Sequence, residues 1–137
     1  ARAAETTAGK IDLETPLDRW FGTSAKDRAA RDQTADWLRA VDPKGYATAY
    51  TAFAHGDATY ADRFDRISCP LLALTGEGDP NSTPDMARSM AAAAPQGTAV
   101  SIKGHRHMAQ LTAPDEVNKH LKTWLDTTTA ATAKELQ

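Results

Sequence analysis

Two stretches of this chain have the pattern of β-strands, and both lie in its second half. The apolar run "CPLLALTGE" ends in turn residues. In "TAVSIK", polar and apolar residues alternate and several side chains are β-branched. The helical pattern between them, "STPDMARSMAAAAPQG", predicts a crossover that makes the two strands parallel neighbours. Parallel strands normally lie buried within larger sheets, and a pair by itself leaves open edges. We therefore expect an α/β fold whose sheet is incomplete in this chain. A second chain, a swapped partner or further sequence would supply the rest.

The first half, residues 1–66, predicts helices without a strand. The spacing of Trp37, Leu38 and Val41 predicts one apolar face of a helix over about residues 26–40. A second helix is predicted over "DPKGYATAYTAFAHGD", where an aspartate cap precedes a proline. The segments "TPLDRWFG" and "TYADRF" are expected to be short connectors that carry aromatic anchors.

The end of the chain predicts one more helix, over "TAPDEVNKHLKTWLD". Its proline start and the two acidic residues that follow suit the positive end of a helix dipole. The remaining residues, 127–137, are polar, and we expect them to form a frayed tail.

Composition limits the classes of function. The 137 residues are 41% hydrophobic and 25% charged, with a net charge of −2, as in a single soluble domain. A nucleic-acid partner would require a basic excess, and a membrane span about 20 apolar residues; the sequence has neither. No signal-peptide pattern is present, so a cytoplasmic location is the default expectation. The single cysteine, Cys69, excludes an internal disulfide, and its apolar neighbours predict a buried thiol.

The residues best suited to chemistry follow the two predicted strands. Glu77 and Asp79 come after the first strand, and His105 and His107 come after the second. Open α/β sheets place their sites at the carboxyl ends of neighbouring strands, so these two loops are expected side by side. A carboxylate beside an imidazole orients the ring, as the acid of a nucleophile–His–acid triad does. From spacing alone, a purely structural Asp–His pair is an equal alternative.

The section from Ile67 to Asp126 resembles the C-terminal part of an α/β-hydrolase. "PLLALTGEGDP" is similar to that family's strand P-x-L-x-L-x-G-E-x-D-P, and "GHRHM" to its G-x-x-H-M turn. The resemblance implies that Asp79 is the triad acid and His107 the general base, whereas His105 takes a variable position.

The helical half resembles the helical cap that precedes this C-terminal section in the family. Its sequence is similar to that of the 3-oxoadipate enol-lactonase and haloperoxidase-like branch. The implied domains are a cap (1–66), a β-α-β-α core section (67–126) and the polar tail. The resemblance also implies that substrate contacts come from the cap, first from Trp20 and Phe21. Met108, next to the general base, is a further candidate.

The nucleophile of such an enzyme is missing from these residues. The family's serine sits in a G-x-S-x-G elbow, and this sequence contains none. The resemblance therefore implies a fragment of a serine hydrolase for a small-molecule ester or lactone, with amidase and perhydrolase chemistry left open. Its partner would be the N-terminal hydrolase segment that carries the serine. No cofactor is implied. By itself the chain is expected to be inactive, because losing a triad member costs on the order of 10⁴-fold or more in turnover.

Two other interpretations remain open. The hydrolase fold could serve here as a non-catalytic structural or partner-binding module. The pair His105 and His107 could also bind zinc, but no third ligand lies at a recognisable spacing, and we expect no metal.

Overall fold

The structure, a computed structural model, describes residues 13–56 and 58–135 and divides between Phe64 and Asp65 into two compact units. The first unit contains the helices α1 (Glu14–Trp20), α2 (Ala25–Ala40) and α3 (Pro43–Gly56), and the 3₁₀-helix Ala61–Arg66 follows across the boundary. The second unit contains β1 (Leu71–Gly76), α4 (Pro84–Ala93), β2 (Gly97–Ile102), α5 (Ala109–Thr112) and α6 (Pro114–Glu135). Residues 1–12 of the predicted cap and 136–137 of the predicted tail lie outside the described residues.

Helix α2 begins with a capping box. The Ser24 hydroxyl accepts from the Asp27 N–H at 3.1 Å, and the Asp27 carboxylate accepts from the Ser24 N–H at 3.3 Å. The predicted apolar face of this helix is wrong, because the Trp37 side chain on it is 52% exposed. The helix instead buries small side chains such as Ala30 and Ala35, which allow close packing at low volume.

The segment predicted as the connector "TPLDRWFG" is mostly helix α1. Leu17 and Phe21 are its anchors, 0% and 2% exposed. On the outer side, the Arg31 guanidinium bonds to Glu14 at 2.6 Å and Asp18 at 2.9 Å, so α2 is tied to α1. The connector prediction failed because a helix of two turns shows too little periodicity to be recognised.

Helix α3 starts as predicted. The Asp42 carboxylate accepts from the Gly45 N–H at 2.6 Å, and Pro43 is the first helical residue. Tyr46, Tyr50 and Phe53 form one aromatic row with ring centroids 6.0 and 6.3 Å apart. No residue of this helix is buried.

The two strands are parallel and joined by a helix, as predicted. Leu71 pairs with Gly97, and the register continues to the pair Gly76 and Ile102 at the carboxyl ends. Helix α4 lies between them in sequence and is capped by the Thr83 hydroxyl, which accepts from the Met86 N–H at 3.3 Å. Within the described residues the sheet has these two strands.

A small apolar core fixes the elements that follow β2. Ile102, Ala109, Ala113 and Val117 are buried together, with the half-buried Leu74 and Val100 packed against them. This core attaches α5 and the start of α6 to the sheet. Burying this apolar surface is the main stabilising contribution at this end of the unit.

Two further sequence predictions differ from the structure. Cys69 is exposed, since it precedes β1 and does not belong to it. Helix α6 continues past Asp126 to Glu135, where fraying was expected. Alanine in this segment favours helix, and the hydroxyls of Thr127 and Thr128 donate to carbonyls one turn earlier, Thr123 O and Trp124 O, both at 2.8 Å. In the described parts of the chain, every helix is too short or too polar to span a membrane.

Candidate functional site

The loop after β1 places a buried carboxylate at the end of the sheet. The Asp79 side chain is 2% exposed. Its Oδ1 accepts from the backbone N–H of Asn81 at 2.7 Å and of Ser82 at 3.0 Å. The Thr75 hydroxyl, which has one proton, lies 3.0 Å from Oδ2 and 2.6 Å from Ser82 O. The two backbone donors and this hydroxyl fix the plane of the carboxylate.

The loop after β2 brings an imidazole to the same carboxylate. His107 Nδ1 lies 2.8 Å from Asp79 Oδ2, and the His107 side chain is 29% exposed. Gly104, with φ +73°, makes the turn that leads to it. The structure thus brings together the two residues that the sequence predicted as acid and base.

Backbone contacts dock the two loops on each other. The N–H of Gly78 donates to His105 O at 2.9 Å, and the Gly104 N–H donates to the Glu77 carboxylate at 3.0 Å. A Cβ at Gly76 would lie less than 3.0 Å from the carbonyl oxygens of His105 and Arg106. Glycine is therefore required there for the base loop to approach the end of β1.

Two opposing effects determine the charge of Asp79. Burial favours the neutral acid, but hydrogen bonds from the His107 ring and from the N–H groups of Ser82 and Asn81 outweigh it. The pKa of Asp79 consequently lies below its ordinary value, and Asp79 is ionised at neutral pH.

This arrangement defines the tautomer of His107. An ionised carboxylate only accepts hydrogen bonds, so Nδ1 carries the proton that points at Asp79. In the neutral ring the basic lone pair is then on Nε2, across the ring from Asp79. A cavity of about 190 Å³ lies beside the pair, and Thr75, Ser82 and Gln110 line it together with both residues. The arrangement can therefore accept a proton at Nε2 and stabilise the imidazolium that results.

The other sequence candidates occupy different places. Trp20 is the last residue of α1 and is half-buried, and Phe21 is buried, both in the first unit. Met108 is half-buried and immediately precedes α5. Their predicted contacts with substrate stay predictions.

The two neighbouring histidines, His105 and His107, contact different partners. His105 Nδ1 lies 2.7 Å from the Thr112 hydroxyl, whereas His107 Nδ1 faces Asp79. Across the described parts of the chain, no three or more His, Cys, Asp or Glu side chains gather in a way that would hold a metal.

Sequence reasoning missed two residues that contact the site or its loops, Thr75 and Thr112. Both are buried polar residues, 7% and 2% exposed, within otherwise apolar stretches. A lone hydroxyl in an apolar strand or helix was the available signal, because a buried hydroxyl requires a partner.

Comparisons with known proteins agree with this fold. No protein-family model matches the chain. A curated protein from Acinetobacter baylyi, (E)-2-((N-methylformamido)methylene)succinate hydrolase, is 50% identical over 127 residues, which are 93% of this chain and 48% of that protein. A solved structure of a thermophilic esterase from Thermogutta terrifontis, with malate bound, superimposes with a TM-score of 0.82 at 24% identity. It covers 93% of this chain and 49% of the esterase.

The chain thus spans about half the length of each protein it matches. The esterase superposition confirms the predicted fold, and the hydrolase relative supports the resemblance to the α/β-hydrolase family.

Proposed function

We propose that this chain supplies the acid, Asp79, and the general base, His107, of a Ser-His-Asp triad in a hydrolase. The observation that carries the proposal is the 2.8 Å contact between His107 Nδ1 and the buried carboxylate of Asp79, which also accepts from two backbone N–H groups. The carboxylate is held ionised and its ring partner lies beside a cavity, a combination typical of functional sites.

The geometry supports the usual order of proton transfers. His107 Nε2 takes the proton of a serine hydroxyl as the serine oxygen attacks the substrate carbonyl. The resulting imidazolium donates that proton to the leaving group, which departs and leaves an acyl-serine. His107 then accepts a proton from water, the hydroxide attacks the acyl carbon, and the proton returns to serine. Asp79 stays ionised throughout and stabilises the imidazolium.

The serine of this proposal comes from outside the chain, in an N-terminal hydrolase segment. That segment also completes the sheet. Three of the six residues of β2, Thr98, Ala99 and Ser101, are exposed, although parallel strands are normally covered on both faces. On α6, Leu121 and Leu125 are 40% and 53% exposed. Further sequence of the length seen in the relatives would supply the covering surface.

We propose small acyl compounds as substrates, with esters and lactones as the first class to test. The name of the Acinetobacter relative adds a formamide next to a succinate, and the same triad chemistry opens an amide carbonyl. Met108, half-buried and next to His107, is proposed to contact the acyl group. Trp20, also half-buried, is kept as the cap candidate, whereas Phe21 is 2% exposed and packs inside the first unit. No step above needs a cofactor.

Serine-directed labelling tests the proposal without knowledge of the substrate. The complete protein that contains this chain is treated with a fluorophosphonate probe, which reacts only with an activated serine. We expect labelling of one serine outside residues 1–137 and a loss of about 10⁴-fold in the labelling rate for His107→Ala. His120→Ala, a histidine of α6 outside the site, is the matched control and keeps the wild-type rate.

Two results would overturn the proposal. One is a complete reading frame without any upstream nucleophile, which would favour the non-catalytic module. The other is a labelling rate for His107→Ala equal to that of the control.

A further inference from the structure

His105 connects three elements around the base loop. Its ring Nδ1 lies 2.7 Å from the Thr112 hydroxyl in α5, and its carbonyl accepts from the Gly78 N–H at 2.9 Å in the acid loop. Its own N–H points to Ile102 O at 3.4 Å, at the end of β2. One residue thus contacts the end of β2, the acid loop and the helix that follows His107.

Thr112 is the anchored end of this connection. It is 2% exposed and lies between Ala109 and Ala113, both members of the apolar core. The Ala113 N–H donates to Ala109 O at 2.8 Å, so the turn that carries Thr112 is closed. A side chain that is hydrogen-bonded to Thr112 is therefore attached to a residue fixed next to the apolar core.

Two acceptors compete for the one hydroxyl proton of Thr112. His105 Nδ1 lies 2.7 Å away, and Met108 O, which also accepts from the N–H groups of Leu111 and Thr112, lies 3.3 Å away. Donation to Met108 O leaves a lone pair for the His105 Nδ1–H, and both bonds are then made. With the opposite tautomer the hydroxyl would have to leave Met108 O.

We propose that His105 is a positioning residue, which donates from Nδ1 to Thr112 and so holds the eight-residue loop 105–112 closed around His107. The loop ends cannot separate while this bond persists, because Thr112 belongs to the core. The His107 ring then stays at hydrogen-bond distance from Asp79. This inference rests on the proposed function for its effect on rate, whereas the bond itself is independent of it.

Paired variants separate the bond from general packing. Thr112→Val removes the hydroxyl at nearly constant volume, and Thr112→Ser keeps it. His105→Gln removes the donor from the Nδ1 position, and His105→Asn puts an amide N–H near it. In the complete protein we expect Thr112→Val and His105→Gln to slow the fluorophosphonate labelling about ten-fold, the effect of a hydrogen bond worth about 1.4 kcal/mol. Thr112→Ser and His105→Asn recover most of that rate.

The double variant His105→Gln/Thr112→Val gives the sharper comparison. If both residues act through one bond, the double variant is slowed about ten-fold, as each single variant is. A loss near a hundred-fold would mean independent effects and would overturn the proposal. Equal rates in wild type and both single variants would also overturn it.

A spectroscopic measurement keeps this inference separate from the proposed function. In the same protein with ¹⁵N-labelled histidine, long-range proton–nitrogen spectra report which ring nitrogen carries hydrogen. We expect a protonated Nδ1 on His105, and a shifted His107 Nδ1–H signal in Thr112→Val but not in Thr112→Ser. An unprotonated His105 Nδ1 refutes donation from this ring, and a His107 signal that Thr112→Val does not move refutes the positioning role, even if labelling fails for every variant. His107-dependent labelling with these spectra unchanged refutes it and leaves the proposed function standing.

Discussion

Replacing Asp79 by asparagine removes one charge from the site and leaves its shape in place. The asparagine carbonyl oxygen can still accept from the N–H groups of Asn81 and Ser82, which now bond to Oδ1 at 2.7 and 3.0 Å. The amide NH₂ then stands where Oδ2 was, facing the His107 ring. The Thr75 hydroxyl keeps its acceptor at Ser82 O, 2.6 Å away. The local fold is therefore expected to survive.

The chemistry is not expected to survive, because the amide NH₂ is a donor. It can bond to His107 only when Nδ1 is bare, and this forces the ring proton onto Nε2. Nε2 then has no lone pair to take the serine proton, and the imidazolium has lost its counter-ion. The same change in a known serine-protease triad lowers turnover about 10⁴-fold, or about 5.5 kcal/mol of activation free energy. The exchange of charged for neutral hydrogen bonds costs about 1–2 kcal/mol of folding stability.

The assay compares Asp79→Asn with Asp85→Asn in the complete protein. Asp85 is an exposed carboxylate of α4 paired with Arg88, so its variant matches the charge change away from the site. Both are measured by fluorophosphonate labelling and by p-nitrophenyl acetate hydrolysis, with urea unfolding as the check on stability. The reasoning is wrong if Asp79→Asn retains more than about a tenth of the wild-type rate, since no tautomer inversion would be that mild.

Two further predictions use the same site. The pKa of Asp79 is depressed in the folded state, so its stabilising effect is complete above the ordinary value of 3.8 and is lost as the pH falls through the lower folded pKa. Urea unfolding from pH 6 downward should therefore show a steeper loss of unfolding free energy below about pH 4 in wild type than in Asp79→Asn, and equal slopes would contradict the depressed pKa. Gly76→Ala introduces a Cβ less than 3.0 Å from the backbone oxygen of Arg106, so we expect a loss of about 1–3 kcal/mol and displacement of the base loop, seen as slower labelling. Gly56→Ala, with nothing within 4 Å of the new Cβ, is the control and should change the stability by less than about 1 kcal/mol; a similar loss in both variants would show that close approach is not the cause.

The second half of the chain was largely predictable because its signals are local. The proline of α4 and its threonine cap, the short apolar strand and the acidic start of α6 each act within a few residues. The first half was less so. Helix α1 is short, and α2 buries alanine and leaves Trp37 half-exposed, because the neighbouring surface, not hydrophobicity alone, selects the packed face.

By itself, the sequence determined the order of elements and the two loops that hold Asp79 and His107. Parallel neighbouring strands end at one edge, so this placement needs only connectivity and hydrophobic pattern. Spacing alone did not distinguish the two histidines; the family resemblance selected His107, and the tertiary structure supplies the physical reason. His105 and His107 are chemically identical and two residues apart, and only the docking of the base loop on Gly76 and Gly78 turns one ring to Asp79 and the other to Thr112. The tautomer, the ionised acid and the roles of both threonines follow from contacts between residues distant in sequence, and no local pattern encodes those contacts.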